Sequence, residues 1–296
     1  MLFKGLFKTL YFIYSHPLNQ KHRLKAIIRF LRWQIGTRLI PYSIVVPFAQ
    51  QSKLLMYRGL KGATQNMYCG LQEFEDMAFL LHFLRDDDQF VDVGANVGSY
   101  TILAANEVGA KTIAIEPIPA SFEHLCSNIA LNEVLDYVQP LNIGLGSKRE
   151  VLHFTQHLDT TNHVSQNQTE NTVAVEVRVF DEIVEMAQNT LVKIDVEGFE
   201  TEVLKGMSSS LQSPQLQAII IELNGAGKKY GYDDAAIHQQ LLDIGFQAYH
   251  YFPFERKLQL RTDFSDEMNT IYLKDRSFAT QRVQTAKKVQ IHDQAF

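Results

Sequence analysis

The chain has 296 residues, of which 46% are hydrophobic and 21% charged, a balance that places it among ordinary globular proteins with one or two domains and a sizeable core. Two cysteines, Cys69 and Cys126, form neither a metal-ligand spacing nor a disulfide framework, which fits a reducing, cytoplasmic setting. The net charge of −5 conceals an asymmetry: residues 1–72 hold eleven Lys and Arg and no acid, so residues 73–296 set the other seventeen against all thirty-three acids, a net −16, and the N-terminal part is expected to meet something anionic, such as a membrane surface, a phosphorylated glycan, a nucleic acid or the acidic part of the same chain.

The opening segment MLFKGLFKTLYFIY is apolar, but Lys4 and Lys8 interrupt it and it falls short of the roughly 20 residues of a membrane span. Lys8 and the lack of a small-residue cleavage site also argue against a signal peptide. As a helix it puts Leu2, Phe3, Leu6, Phe7, Leu10 and Ile13 on one face, to pack on the chain's own core or, as the second reading, to lie in a membrane interface. Lys21–Leu39 is a basic stretch with Leu24, Ile27, Ile28, Leu31 and Ile35 at helical spacing. Pro41 and Pro47 bracket an extended SIVV, and glycines 59, 62 and 70 suggest turns between short strands. Another amphipathic helix is expected over Gln72–Leu84. After the acidic run Asp86–Asp88 the pattern alternates. FVDV, KTIAIE, Tyr137–Asn142, VLHFT, VAVEVRVF, LVKIDV, LQAIIIEL, FQAYHYF and NTIYLK read as strands. SYTILAANEV, PASFEHLCSNIALN, FETEVLKGM and AIHQQLLDI read as helices. Such alternation predicts an α/β protein with a mostly parallel sheet and helices on both faces. The polar stretch from Gln156 to Asn171 is long enough to be functional or disordered. Residues from Ser277 onward read as a tail or a loosely docked helix. The expected division is a basic, mainly helical extension over 1–70, the main domain over 71–275 and a C-terminal tail over 276–296.

The strongest local signal is VDVGANVGSYT, residues 91–101, a strand, a glycine turn and a helix start. Gly94 suits a sharp turn, and Gly98 suits a close approach of helix and ligand. Asn96 stands where a dinucleotide fingerprint has its second glycine, which removes the space a pyrophosphate needs but not that for an adenosyl ligand with an amino-acid tail. Asp92 is placed to accept from that ligand's ammonium group. The plainer alternative is a strand-turn-helix corner. Glu116, ending the next strand in IAIEP, is placed to grip both ribose hydroxyls, or is a solvated acid. In VKIDVEGFE, Asp195 and Glu197 close a buried strand; they suit a general base, metal ligands or cofactor acceptors, and Glu197 equally suits capping the next helix. Lys193 is expected on the opposite side of that strand. Glu222, ending IIIE, is a third acid at the same rim.

Taken together, DVGANVGSYT, EPIPASFEHLCSNIALN, KIDVEGFETEVLKG and IIIE resemble the FkbM-type family of S-adenosylmethionine-dependent methyltransferases over about residues 70–275. The resemblance implies a class I methyltransferase Rossmann-like fold with seven strands, the last antiparallel. It also implies O-methylation of a hydroxyl on a sugar, glycan or secondary metabolite. By it, Asp92, Gly94, Ala95, Asn96, Gly98 and Tyr100 line the methionine end of the cofactor, with Thr101 beside them. Glu116 and Pro117 sit at the ribose, and Asn142, Ile143 and Gly144 by the adenine. Asp195, Glu197 and His163, the last from the polar loop, are the candidate general bases. A divalent metal held by Asp195 and a neighbouring acid is the alternative, and the sequence leaves it open. Two rival readings are a nucleic-acid methyltransferase gripping through the basic extension and a non-catalytic, membrane-peripheral adapter. The acidic main domain and the lack of basic-aromatic interleaving weigh against the first, the intact acids at 92, 116 and 195 against the second. The expected location is cytoplasmic, or peripheral to the inner face of a membrane.

Overall fold

The computed structural model of the chain describes residues 2–40, 42–158, 161–165, 171–265 and 268–296. Pro41 and part of the polar 156–171 stretch lie outside them, as do the side chains of Leu2, Phe3, Lys4 and Lys61. The N-terminal part runs α1 (Leu2–Ser15), α2 (Arg23–Leu39), the hairpin β1 (Ile44–Pro47) and β2 (Lys53–Met56), α3 (Lys61–Cys69) and α4 (Phe74–Phe83). A helix, α3, thus stands between Gly59 and Gly70 where turns between strands were expected. Among the described residues no helix is long and apolar enough to cross a membrane.

The alternating part follows as β3 (Gln89–Val93), α5 (Ser99–Ile102, continuing as a π-helical turn to Val108), β4 (Lys111–Ile115), α6 (Pro119–Leu131) and β5 (Val138–Leu141). Next come β6 (Gly144–Gly146), β7 (Glu150–Thr155), β8 (Thr172–Val179) and α7 (Phe180–Ile183). Then β9 (Thr190–Ile194), α8 (Glu200–Lys205), β10 (Leu216–Glu222) and α9 (Asp234–Asp243) lead to β11 (Gln247–Phe252), β12 (Lys257–Leu260) and β13 (Asn269–Leu273). The chain closes with α10 (Arg276–Thr285) and the short pair β14 (Gln290–Ile291) and β15 (Gln294–Ala295).

The main sheet has the order β12-β11-β13-β10-β9-β3-β4-β5. Strands β5, β4, β3, β9 and β10 are parallel, and β13 enters antiparallel between β10 and β11. The seven expected strands are joined by an eighth, β12, paired antiparallel to β11 at the edge. Central strands read as nearly unbroken apolar runs because helices cover both faces. Alternate residues then divide between two cores: Phe90, Ala114, Leu191 and Ile220 on one side, Val91, Ile113, Val192 and Ile219 on the other. VLHFT and VAVEVRVF do form strands, but as β7 and β8 they make a separate three-stranded sheet with β6, over its own small core of Ile118, Phe154, Val164, Val175 and Val177.

Two terminal segments differ from expectation. In α2 the buried stripe is Ala26, Phe30, Trp33 and Thr37, while Leu24, Ile28, Leu31 and Ile35 face solvent. Both stripes have helical spacing; the buried one carries the two aromatic side chains, and Phe30 packs edge-on against Tyr68 of α3. At the other end, α10 packs along α4, and Arg282 pairs with the buried Asp88. Ile291 and Phe296 enter the main core, so the polar composition after Ser277 hides firmly seated anchors.

Candidate functional site

The order in which successive strands join the sheet reverses between the parallel neighbours β3 and β9, and at such a switch point the loops leaving the two strands part and open a crevice. A cavity of about 440 Å³ lies there. Its floor is the turn after β3. Gly94 has φ +82°, and a Cβ at that position would fall 1.8 Å from the Asp195 carbonyl oxygen, so the turn can nest against the end of β9 only as glycine. Asn96 holds φ +50° and bonds its own side chain to the amide of Val97, the local hydrogen bond that lets Asn tolerate this region. Asp92 is buried; its Oδ2 accepts from Thr101 at 2.6 Å, while its Oδ1 has no hydrogen-bond partner among the described residues. Burial raises the Asp92 pKa.

Glu116, at the end of β4, faces the same cavity. Its oxygens accept from the amides of Asn96 at 2.8 Å and Ile118 at 2.9 Å, which fixes the carboxylate and leaves lone pairs for further donors. Burial pushes its pKa up to about 7, against the pull of those two amides.

The opposite wall is acidic. Asp195, Glu197 and Glu222 each bring a carboxylate oxygen within 4.8 Å of the others, the arrangement that could hold a divalent cation through oxygen donors. Lys193 also lines this wall and donates to Asp195 at 2.8 Å. The expectation that Lys193 turns to the other side of its strand is corrected: residues 193 and 195 share a face because side chains alternate with period two. Burial lowers the Lys193 pKa, but Asp195, Asp92 and Glu73 outweigh it and the net shift is upward. Glu222 is raised to about 9 by burial and then by Asp195, Glu197 to about 7 by the same two causes. Glu197 holds φ +54°, a strained backbone for a non-glycine residue. The capping role considered for Glu197 is not realised among the described residues: α8 has no side-chain cap, and Glu200 in its first turn reaches back to the preceding loop, its Oε1 accepting from the amides of Val196 and Gly198, both at 3.1 Å.

Of the residues singled out in the sequence, Asp92, Gly94, Ala95, Asn96, Tyr100, Glu116, Pro117, Ile143, Gly144, Asp195 and Glu197 line the cavity. Four do not. Gly98 allows close approach to Leu125 of α6 rather than to a ligand, since a Cβ there would lie 2.5 Å from Leu125 Cδ1. Thr101 sits behind the wall, orienting Asp92. Asn142 donates to the carbonyls of Glu116 and Pro117 and so braces the turn after β4. His163 turns its Nδ1 to the Thr161 carbonyl at 2.8 Å, and its neighbour Asn162 reaches the wall instead.

Sequence reasoning missed Gln65, Gln72 and Glu73, which α3 and the following turn bring to the wall. Glu73 accepts from the Tyr100 hydroxyl at 2.6 Å. No local pattern marks these residues; only the docking of the N-terminal part on the main domain brings them there.

The strand order, with antiparallel β13 between β10 and β11, and the crevice at the switch point define a class I methyltransferase, Rossmann-like fold. Residues 92–248 match the family described as the methyltransferase FkbM domain, more than half of the chain, and the chain belongs to that family. Among curated relatives, the hexuronic acid methyltransferase AglP of Haloferax volcanii is 32% identical over 155 residues, 51% of this chain and 62% of that one. The methyltransferase sdnD of Sordaria araneosa is 26% identical over 170 residues, 45% of this chain and 66% of that one. The chain thus covers less than two thirds of these relatives. Solved structures resemble it more loosely: an rRNA methylase from Streptococcus thermophilus is 12% identical, with 67% of this chain and 91% of that one covered at a TM-score of 0.37.

Proposed function

We propose that the chain is an S-adenosylmethionine-dependent O-methyltransferase acting on a hydroxyl of a sugar, glycan or secondary metabolite. The observation that carries this reading is the pair of acids on the cavity floor. Asp92 Oδ1 is a buried acceptor without a donor among the described residues, suited to the ligand's ammonium, and Glu116 is a fixed carboxylate with lone pairs left for two ribose hydroxyls. Ile143, Gly144 and Leu145, with Phe154, provide the flatter, less polar end suited to adenine. When bound, the sulfonium supplies an already activated methyl group. The chain's own work is to align the acceptor and to take its hydroxyl proton.

Glu197 is the base this geometry favours. Asp195 is engaged by Lys193, and Glu222 holds its proton at neutral pH. Glu197, raised to about 7, is half ionised where it would work. Polar side chains in the cavity wall, Gln65, Gln72 and Asn162, suit a polyhydroxylated molecule, and the relative named for hexuronic acid supports that class.

The test is calorimetry of the purified chain with S-adenosylhomocysteine, followed by methyl transfer to a panel of hexuronic acids and neutral sugars. Glu116→Ala is expected to weaken binding about 100-fold, the scale of two hydrogen bonds to a charged group. Absence of binding by the unaltered chain would end the reading. Turnover that survives EDTA supports Glu197 as a free base; turnover abolished by EDTA supports a cation at the three carboxylates.

A further inference from the structure

One face of the N-terminal extension has no partner among the described residues. On α2, Leu24, Ile28, Leu31, Ile35 and Leu39 form one stripe, 71, 39, 49, 61 and 76% exposed, turned away from the buried Phe30 and Trp33. At about 3.6 residues per turn, Arg32 and Lys25 fall on one edge of this stripe and Arg38 on the other. On α1, Phe7, Tyr11 and Tyr14 are 73, 65 and 47% exposed. The two helices are tied together: the Arg23 guanidinium lies 4.2 Å over the Tyr14 ring and donates to its hydroxyl at 3.1 Å.

Exposed apolar stripes of this kind mark an interaction site, and charge selects the partner. No acid occurs before Glu73, whereas eleven basic residues do. Lys25 meets its carboxylate, Asp293, from the far end of the chain. Two copies packed through this face would bring their arginine edges together, a like-charge contact. An anionic lipid surface satisfies both features, with the apolar stripe at the acyl boundary and the arginines among headgroups. Neither helix is long and apolar enough to span, so both would lie in the plane of the interface.

We propose that the exposed faces of α1 and α2 dock the protein on an anionic lipid bilayer. The same extension carries α3, whose Gln65 lines the cavity, so the lipid-contacting face and part of the acceptor wall belong to one piece of chain. This inference does not depend on the catalytic reading.

The full chain is sedimented with vesicles of phosphatidylcholine alone and of phosphatidylcholine with about one third phosphatidylserine. Binding is expected with the anionic vesicles and is expected to fall with salt. The variant Leu24→Ser, Ile28→Ser, Leu31→Ser, Ile35→Ser should lose at least about tenfold in partition while its circular dichroism and S-adenosylhomocysteine binding stay unchanged. A second variant, Arg32→Glu with Arg38→Glu, should lose the preference for anionic vesicles. No sedimentation with anionic vesicles at low salt overturns the proposal, as does sedimentation that neither variant alters. A dimer by light scattering that the serine variant converts to monomer, without vesicle binding, overturns it in favour of a second copy of the chain.

Discussion

Glu116 and Glu197 are both raised to about 7, and for both the first cause is burial, yet they suit different tasks. Glu116 is held by two backbone amides and sits on the floor, a place for recognition. Glu197 stands on a left-handed backbone at the acidic wall, a place for proton transfer at the acceptor. An acid used as a base must be ionised, so turnover should rise as pH increases through about 7 and level off above it. Glu197→Gln should lower kcat by about 10²–10⁴, leave S-adenosylhomocysteine affinity near its original value and remove the limb of the pH profile near 7. A variant that keeps the limb would show that Glu197 is not the base. The acids themselves were legible because a carboxylate at the end of a buried apolar strand has few structural uses. Their individual roles were not, since the turn that folds Glu200 back on the amides of Val196 and Gly198 depends on backbone angles that the VEGFE segment does not announce.

At the scale of elements, legibility followed the range of the interactions. Strands β3, β4, β9 and β10 and the turn at Gly94 were readable because local patterning fixes them. That VLHFT and VAVEVRVF leave the main sheet was not, because strand pairing is a long-range choice with the same local signature. The docking of α10 was hidden too, since its anchors are one arginine and a few apolar residues beyond it. Asp88 is 1% exposed, and Arg282 places both guanidinium branches on it. Removing one partner of a buried pair strands the other charge. Arg282→Ala should therefore destabilise the fold by about 3–5 kcal/mol in urea unfolding. Asp88→Asn with Arg282→Ala should be less damaging than the sum of the two single changes, because the stranded charge is gone. Additive losses would show that the pair is not what seats α10 on α4.

Across the whole molecule, buried acids and buried histidines set opposing pH dependences. Asp76, Asp92, Glu116, Glu200 and Glu222 all have raised pKa values, with burial as the first cause in each. The folded chain retains protons there that the unfolded chain releases near 3.8 or 4.5, so raising the pH above that range withdraws stability. His16 and His82 are lowered to about 4, again by burial. The unfolded chain takes up a proton near 6.5 that the folded chain refuses, so their contribution is complete above 6.5 and is lost as pH falls toward 4. Above 6.5 the histidines are neutral in both states, and the acids act alone. Stability of the ligand-free chain should then decline from pH 6.5 to 9, and Glu222, raised to about 9, should drive the last part. One pK unit corresponds to about 1.4 kcal/mol, and relaxation around an open cavity reduces the full value, so the decline should be roughly 2–3 kcal/mol. Urea midpoints at the two ends of that range measure it. Glu222→Gln, which keeps the shape and removes the ionisation, should flatten most of the slope; an unchanged slope in that variant would show that the acidic wall does not hold its proton as a unit.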